Sequence, residues 1–290
     1  MESFEGEKGA AKVIIFANIF LVGSKLAVAL LTGSLGVIAV LLDSLFDFVG
    51  GIFAYLGIKK AHEPPDKYHH YGHLKFGPLS GLAQLSLIFI TAVLIILEAA
   101  RRIVDPIALF ITDLDLALMG GTIVVDIFMA RYLTQKAEHY SSTALEASAG
   151  NYTSDVLQNS AVLIGLFVAS WGFKLADPLS ALLVALFMMR VVFMVGRKSV
   201  LELTDVRPSE ETIEKIERII RAQKGIKSFH NLRARSVSGR VYVDFHIQLN
   251  PKFPLKRAHG ISEQLKQNIL KRMPEVKEVL IHEEPFEKSG

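Results

Sequence analysis

The sequence contains no cysteine. Disulfides, thiolate nucleophiles and cysteine-based metal sites are therefore excluded, and any bound metal must be held by Asp, Glu, His, Asn or backbone oxygens. An excess of charge of one sign is also lacking. The 32 Lys and Arg against 29 Asp and Glu leave a formal net charge of +3, with no stripe of basic and aromatic residues, so nucleic acid is not an expected partner. A cleaved signal peptide is not expected, because MESFEGEKGA opens acidic and polar and the apolar run behind it has no small-residue cleavage pattern. No nucleophile–base constellation accompanies the apolar segments, and the chain is not expected to be an enzyme.

Apolar runs are abundant. Hydrophobic residues make up 51% of the 290 and the mean hydropathy is +0.36; a soluble chain of this size rarely runs so apolar, because it must still cover its own surface. The long runs stop near residue 200, and charge then rises to an ordinary soluble density. This predicts a membrane domain over residues 1–205 and a soluble module over 206–290. Six spans are expected: Lys12 to Leu31, Leu35 to Ile58, Pro78 to Ala100, about Leu114 to Tyr132, Ser148 to Ser170, and Ala176 to Val195. Each can cross a hydrocarbon core of about 30 Å. The fourth and fifth carry polar groups at depth, and a plain hydropathy window should score them weakly. Gly50, Gly51 and Gly121 read as close-packing positions between helices.

Loop charge gives the orientation. Lys59, Lys60, Lys67, Lys75, Arg131, Lys136, Arg197 and Lys198 fall on one face, against Lys174 and the discordant pair Arg101–Arg102 on the other. With an even number of spans, both termini are expected in the cytoplasm. Beyond Pro208 the pattern reads helix (Glu210 to Gln223), strand (Phe229 to Ser236), a Ser238–Gly239 turn, strand (Arg240 to Leu249), helix (Leu255 to Met273) and strand (Glu278 to His282). That order predicts a compact two-layer α+β module with exposed sheet edges that a partner subunit could cover.

The chemistry is concentrated in charges placed within the membrane spans. DSLFD puts Asp43 and Asp47 one turn apart on the second helix, and NYTSD repeats the spacing with Asn151 and Asp155 on the fifth. Bare carboxylates at the bilayer centre cost several kcal/mol each, so a divalent cation or protons must compensate them; protonated carboxyls that merely tie helices together are the bland alternative. Three carboxylates and an amide make an all-oxygen site. Such a site favours Mn(II) or Fe(II) slightly over Zn(II) or Co(II), since it lacks the nitrogen donor that zinc prefers. Asp126 on the fourth helix has no i,i+4 carboxylate partner and reads as a group that supports the ligands or relays protons. In the histidine-rich loop, Asp66, His69 and His73 have the spacing to share one metal, with His62 and His70 beyond that set. In the tail, His230, His246, His259, His282 and Glu284 lie on different predicted elements that could converge on a regulatory metal.

With DSLFD, the helix-five motif ending in Asp155, the YHHYGH loop and the closing IHEEP in this order, the chain resembles the cation diffusion facilitator family, including its bacterial zinc, iron and manganese efflux members. The resemblance implies a six-helix membrane bundle and a ferredoxin-like (metallochaperone-like) cytosolic domain. It implies a homodimer in the cell membrane, exchanging divalent metal ions for protons across the lipid bilayer. It assigns Asp43, Asp47, Asn151 and Asp155 to transport, Asp66, His69 and His73 to a loop site, and His230, His246, His259, His282 and Glu284 to a cytosolic binuclear site. It also matches Lys75 and Asp205 to an interlocking charge pair. Asn151 departs from the histidine usual in zinc-type relatives, and Glu284 from the commoner Asp. The alternative reading is a membrane-anchored metal sensor or scaffold without transport.

Overall fold

A computed structural model describes the backbone of residues 2–140 and 143–286. Six long helices come first: α1 (Glu2–Thr32), α2 (Leu35–Ala61), α3 (Phe76–Val104), α4 (Asp113–Tyr140), α5 (Thr143–Ser170) and α6 (Ala176–Leu203). They are followed by α7 (Glu210–Ala222), β1 (Ile226–Val237), β2 (Arg240–Leu249), α8 (Leu255–Arg272) and β3 (Val276–Pro285). All six expected spans fall within helices that run further than the apolar windows, because polar first and last turns continue them. The chain divides into two compact units, Met1–Phe53 with Ala83–Gly196, and Ala54–Leu82 with Arg197–Gly290. The histidine loop and the helix ends beside it thus belong to the same unit as the tail.

Four helices among the described residues are long and apolar enough to cross a membrane: Val13–Thr32, Phe76–Val104, Asp113–His139 and Ala176–Leu203. Within those windows only 22 to 28% is buried inside the protein, so the apolar surface faces outward, as lipid allows and water does not. The fourth helix passes this test after all, with a hydropathy of 1.6 against 2.2 to 2.3 for the others. Inside the bundle, α1, α4 and α5 share a cluster of Leu21, Met129, Leu133, Leu145, Ala149 and Tyr152.

Close approach between helices occurs elsewhere than expected. A Cβ at Gly121 would meet nothing within 4 Å, whereas one at Gly165 would lie 2.6 Å from Ser180 Oγ and 3.1 Å from the Ala176 carbonyl. Gly121 is therefore not a contact glycine, and Gly165 is. Gly50 and Gly51 lie outside the described side chains. Arg102, discordant in sequence, is structurally committed. It donates to Glu98 at 3.0 Å and to the Gly33 carbonyl at 2.9 Å, and it lies 3.6 Å from buried Asp177. Asp177 in turn accepts from the Leu35 and Gly36 amides at 2.9 and 3.1 Å and from the Ser34 hydroxyl. A carboxylate from α6 thus caps the N-terminus of α2.

In the tail, Ser209 accepts from the Thr212 amide and starts α7. The Ser238–Gly239 pair takes φ of 48° and 72°, the left-handed pair that a two-residue hairpin requires. The sheet order is β1-β2-β3, with β1 and β2 antiparallel and β2 and β3 parallel. Val241, Val243, Phe245, Ile247 and Leu249 of β2 point into a core closed by Ile216 and Ile220 of α7 and Leu265 and Ile269 of α8. The even-numbered residues of β2, His246 among them, point away from the helices.

Candidate metal centres

The helix-two and helix-five residues meet at cavities inside the bundle. One, of about 130 Å³, is lined by Asn18, Ser44, Asp47, Asn151, Tyr152 and Asp155. A second of the same volume is lined by Asp43, Asp47, Asn151, Asp155 and Gln158, with apolar side chains of α3 and α6. Asp47, Asn151 and Asp155 line both, and Asp43 only the second. All four expected residues are therefore brought together, although Asp43, Asp47 and Asp155 do not approach one another closely enough to form a ready three-carboxylate cage. Three partners were not legible in sequence. Gln158 donates to Asp43 at 2.9 Å, Tyr152 donates to Asn18 at 2.7 Å, and Lys25 donates to Ser44 at 2.7 Å. Asp126 is fully buried and accepts from Asn159 at 2.6 Å. It lines neither cavity, which fits a group behind the ligands.

Among the described residues, two sets of three side chains bring ligand atoms within 4.8 Å of one another: Asp66, His69 and His73, and His230, His246 and Glu284. In the loop, Asp66 Oδ1 accepts from the amides of Tyr68 at 2.8 Å and His69 at 2.6 Å. These two amides, with the His69 ring beside them, hold the Asp66 carboxyl down at about 2. His73 is buried; its Nδ1 lies 3.3 Å from the Glu63 carbonyl and its Nε2 3.4 Å from Asp66 Oδ2. The carbonyl can only accept, so Nδ1 carries the proton, and Nε2, buried without a hydrogen-bond partner, presents its lone pair to the cluster. A ring fixed in that tautomer is a preformed metal ligand.

Because the turn depends on ionised Asp66, its contribution is complete above the ordinary carboxylate range and is lost only as pH falls through about 2. The Tyr68 and His69 amide resonances are expected to show no carboxylate-linked displacement centred near pH 4, and one there would contradict this account of the loop.

The tail site follows from register. His230 pairs with His246, and His246 with His282, in one row across three strands. Glu284 closes the row from β3. Its Oε1 lies 2.8 Å from His246 Nδ1 and 3.8 Å from His282 Nε2, and its Oε2 lies 3.3 Å from His230 Nε2. The hydrogen bond from His246 lowers the Glu284 pKa, with help from His230. A bulge between His230 and Arg233, where Asn231 takes φ of 52°, ends the regular pairing beside His230. One carboxylate bridging two imidazoles, with a third close by, is a donor set that suits a divalent transition ion. His259 is not brought into this row. It stands on α8, on the helical side of the sheet, 4.0 Å from Glu283, and successive β3 residues Glu283 and Glu284 point to opposite faces. Lys75 and Asp205 form an ion pair at 3.1 Å, which Arg235 joins at 3.4 Å from the other carboxylate oxygen.

Comparison with known proteins matches residues 11–204 to a family described as "Cation efflux transmembrane domain" and residues 208–286 to "Cation efflux protein, cytoplasmic domain". The chain is 30% identical over 282 residues to a cation-efflux pump FieF of Shewanella oneidensis, covering 97% of this chain and 94% of that protein. It is 29% identical over 254 residues to the FieF of Serratia proteamaculans, covering 88% and 84%. Among solved structures, the metal-bound C-terminal domain of the CzcD transporter from Thermotoga maritima aligns with 28% of this chain and 93% of its own length, at 22% identity and a TM-score of 0.26.

Proposed function

The chain belongs to the cation diffusion facilitator family of cation efflux proteins, and on that footing we propose that it exports divalent transition-metal ions from the cytoplasm in exchange for protons. The observation that carries this reading is the cavity lined by Asp43, Asp47, Asn151 and Asp155. Carboxylates in a membrane bundle need a cation, and metal and protons compete for the same oxygens. Cytosolic metal enters an inward-open site, the bundle rocks, and protons from outside replace the ion as it leaves.

Six crossings serve this reading, with α2 and α5 inserted despite the polar residues they carry. Arg102's engagement with Glu98, Gly33 and Asp177 removes it from the free loop charge, which supports cytoplasmic termini and a plasma-membrane location. In a homodimer, metal on the row of His230, His246, His282 and Glu284 favours the transport-competent arrangement by binding it more tightly than the alternatives.

The site offers oxygen alone, so Mn(II) and Fe(II) are preferred slightly over Zn(II) and Co(II). Installing nitrogen with Asn151→His is expected to shift the Zn:Mn flux ratio toward zinc by about tenfold, the effect of roughly 1.4 kcal/mol in ligand preference. Competition flux in proteoliposomes reads it, and an unchanged ratio would defeat the selectivity argument.

A further inference from the structure

Lys25 of α1 is 1% exposed and is among the largest fully buried side chains. Its only direct hydrogen bond among the described contacts is to Ser44 Oγ at 2.7 Å. Ser44 gives its own proton to the Val40 carbonyl at 3.0 Å, stands between Asp43 and Asp47 on α2, and lines the cavity with Asp47, Asn151 and Asp155. A single hydroxyl does not offset the burial of an ammonium. The carboxylates can: the hydroxyl that Lys25 reaches lies on the cavity wall with Asp47 and Asp155 and is the chain neighbour of Asp43, which sets the ammonium beside them in a low-dielectric interior. Asp126, which the same charge also reaches, accepts from Asn159 and lines neither cavity; the carboxylates on the cavity walls are Asp43, Asp47 and Asp155.

We propose that Lys25 is the resident cation of the transport site: it brings Asp43, Asp47 and Asp155 to a net charge of −2, the charge one divalent ion cancels, and weakens their hold on that ion enough for release. The inference rests on the transport-site assignment above. A site of three carboxylates without the ammonium keeps a full negative charge after a divalent ion binds, and so holds the ion too tightly to let it go. With the ammonium in place, the metal-loaded site is neutral. Repulsion between Lys25 and the incoming ion sets the affinity, and Ser44 aims that charge at the cavity without making Lys25 a ligand.

The test measures radiolabelled Mn(II) binding to the full-length chain at pH 8.5, where protons compete least. Asp66→Ala and Glu284→Ala are present throughout, to silence the other two clusters. Lys25→Gln is expected to bind Mn(II) at least about tenfold more tightly and to release it correspondingly more slowly, since removing a like charge at such range in a low-dielectric site is worth more than one decade. Lys25→Arg, which keeps the charge, should stay within about threefold of the parent by the same reasoning. Lys25→Met is measured in parallel, so that poor accumulation of one neutral variant leaves the other to decide. Neutral variants that bind equally or more weakly overturn the proposal, because a lysine that only holds helices together has no route to tighter binding when lost. Asp47→Ala in the same background separates the two levels. Parent-like binding there removes the transport site itself, whereas lost binding there with unchanged Lys25→Gln removes only the role of Lys25.

Discussion

Asp47→Ala is expected to reduce metal flux in proteoliposomes by about 100-fold or more, because it removes a charged ligand from the site, a loss of roughly 2.7 kcal/mol or more in binding. Asp47 is the right residue to test first. It lines both cavities, as Asn151 and Asp155 do, so an ion in either one meets its carboxylate. Asp43 lines only one of them and already accepts from Gln158, and Asp43→Ala should cost less. Equal flux for wild type and Asp47→Ala would remove the role assigned to the intramembrane carboxylates. The same variant should retain metal on its tail, where His230, His246 and Glu284 lie in a different compact unit.

The largest stability effect is expected away from the metal sites. Asp177 is 2% exposed and accepts from the two backbone amides that begin α2, from Ser34, and faces Arg102. Its removal by Asp177→Ala leaves the Leu35 and Gly36 amides and the Ser34 hydroxyl without their acceptor, while Arg102 loses its buried counter-charge and keeps only Glu98 and the Gly33 carbonyl. Breaking a buried pair in this way costs about 3–5 kcal/mol. Denaturant unfolding in detergent should show that loss, with Asp177→Asn intermediate because its amide oxygen still accepts while the charge is gone. A change below about 1 kcal/mol for Asp177→Ala would mean that the cap contributes little. No direct effect on metal preference is expected, because Asp177 does not line the cavities.

What was legible in the sequence was what helical and strand periods determine. The i,i+4 spacing put Asp43 with Asp47, and Asn151 with Asp155, on shared helix faces, and the structure brings the two faces to one cavity. The strand expected over Arg240 to Leu249 is β2, and its alternation buries Val243 and Phe245 and turns His246 to the other face. What was not legible depends on contacts distant in sequence. Lys25 falls inside the first apolar run, where nothing local connects it to Ser44 nineteen positions away. Gln158 follows Asp155 by three residues, and its bond to Asp43 crosses to another helix. Arg102 counted as a stray positive charge because loop bookkeeping cannot see Asp177.

The histidines divide along the same line. His230, His246 and His282 fall in one row only because the two strand registers align them, which composition cannot specify. His259 was grouped with them as one more histidine of the tail, yet α8 covers the opposite face of the sheet and sets it near Glu283. In the loop, the three-then-four spacing of Asp66, His69 and His73 corresponds to a cluster whose ligand atoms lie within 4.8 Å of one another. The contact with the Glu63 carbonyl that fixes the His73 tautomer is not legible there.

The most direct test is to locate the bound ion by anomalous scattering from crystals of the full-length chain grown with Mn(II). The account predicts a peak between α2 and α5 with oxygen ligands from Asp43, Asp47, Asn151 and Asp155, lost in Asp155→Ala. Manganese found solely at the loop and tail histidines, with the bundle carboxylates unengaged, would contradict it.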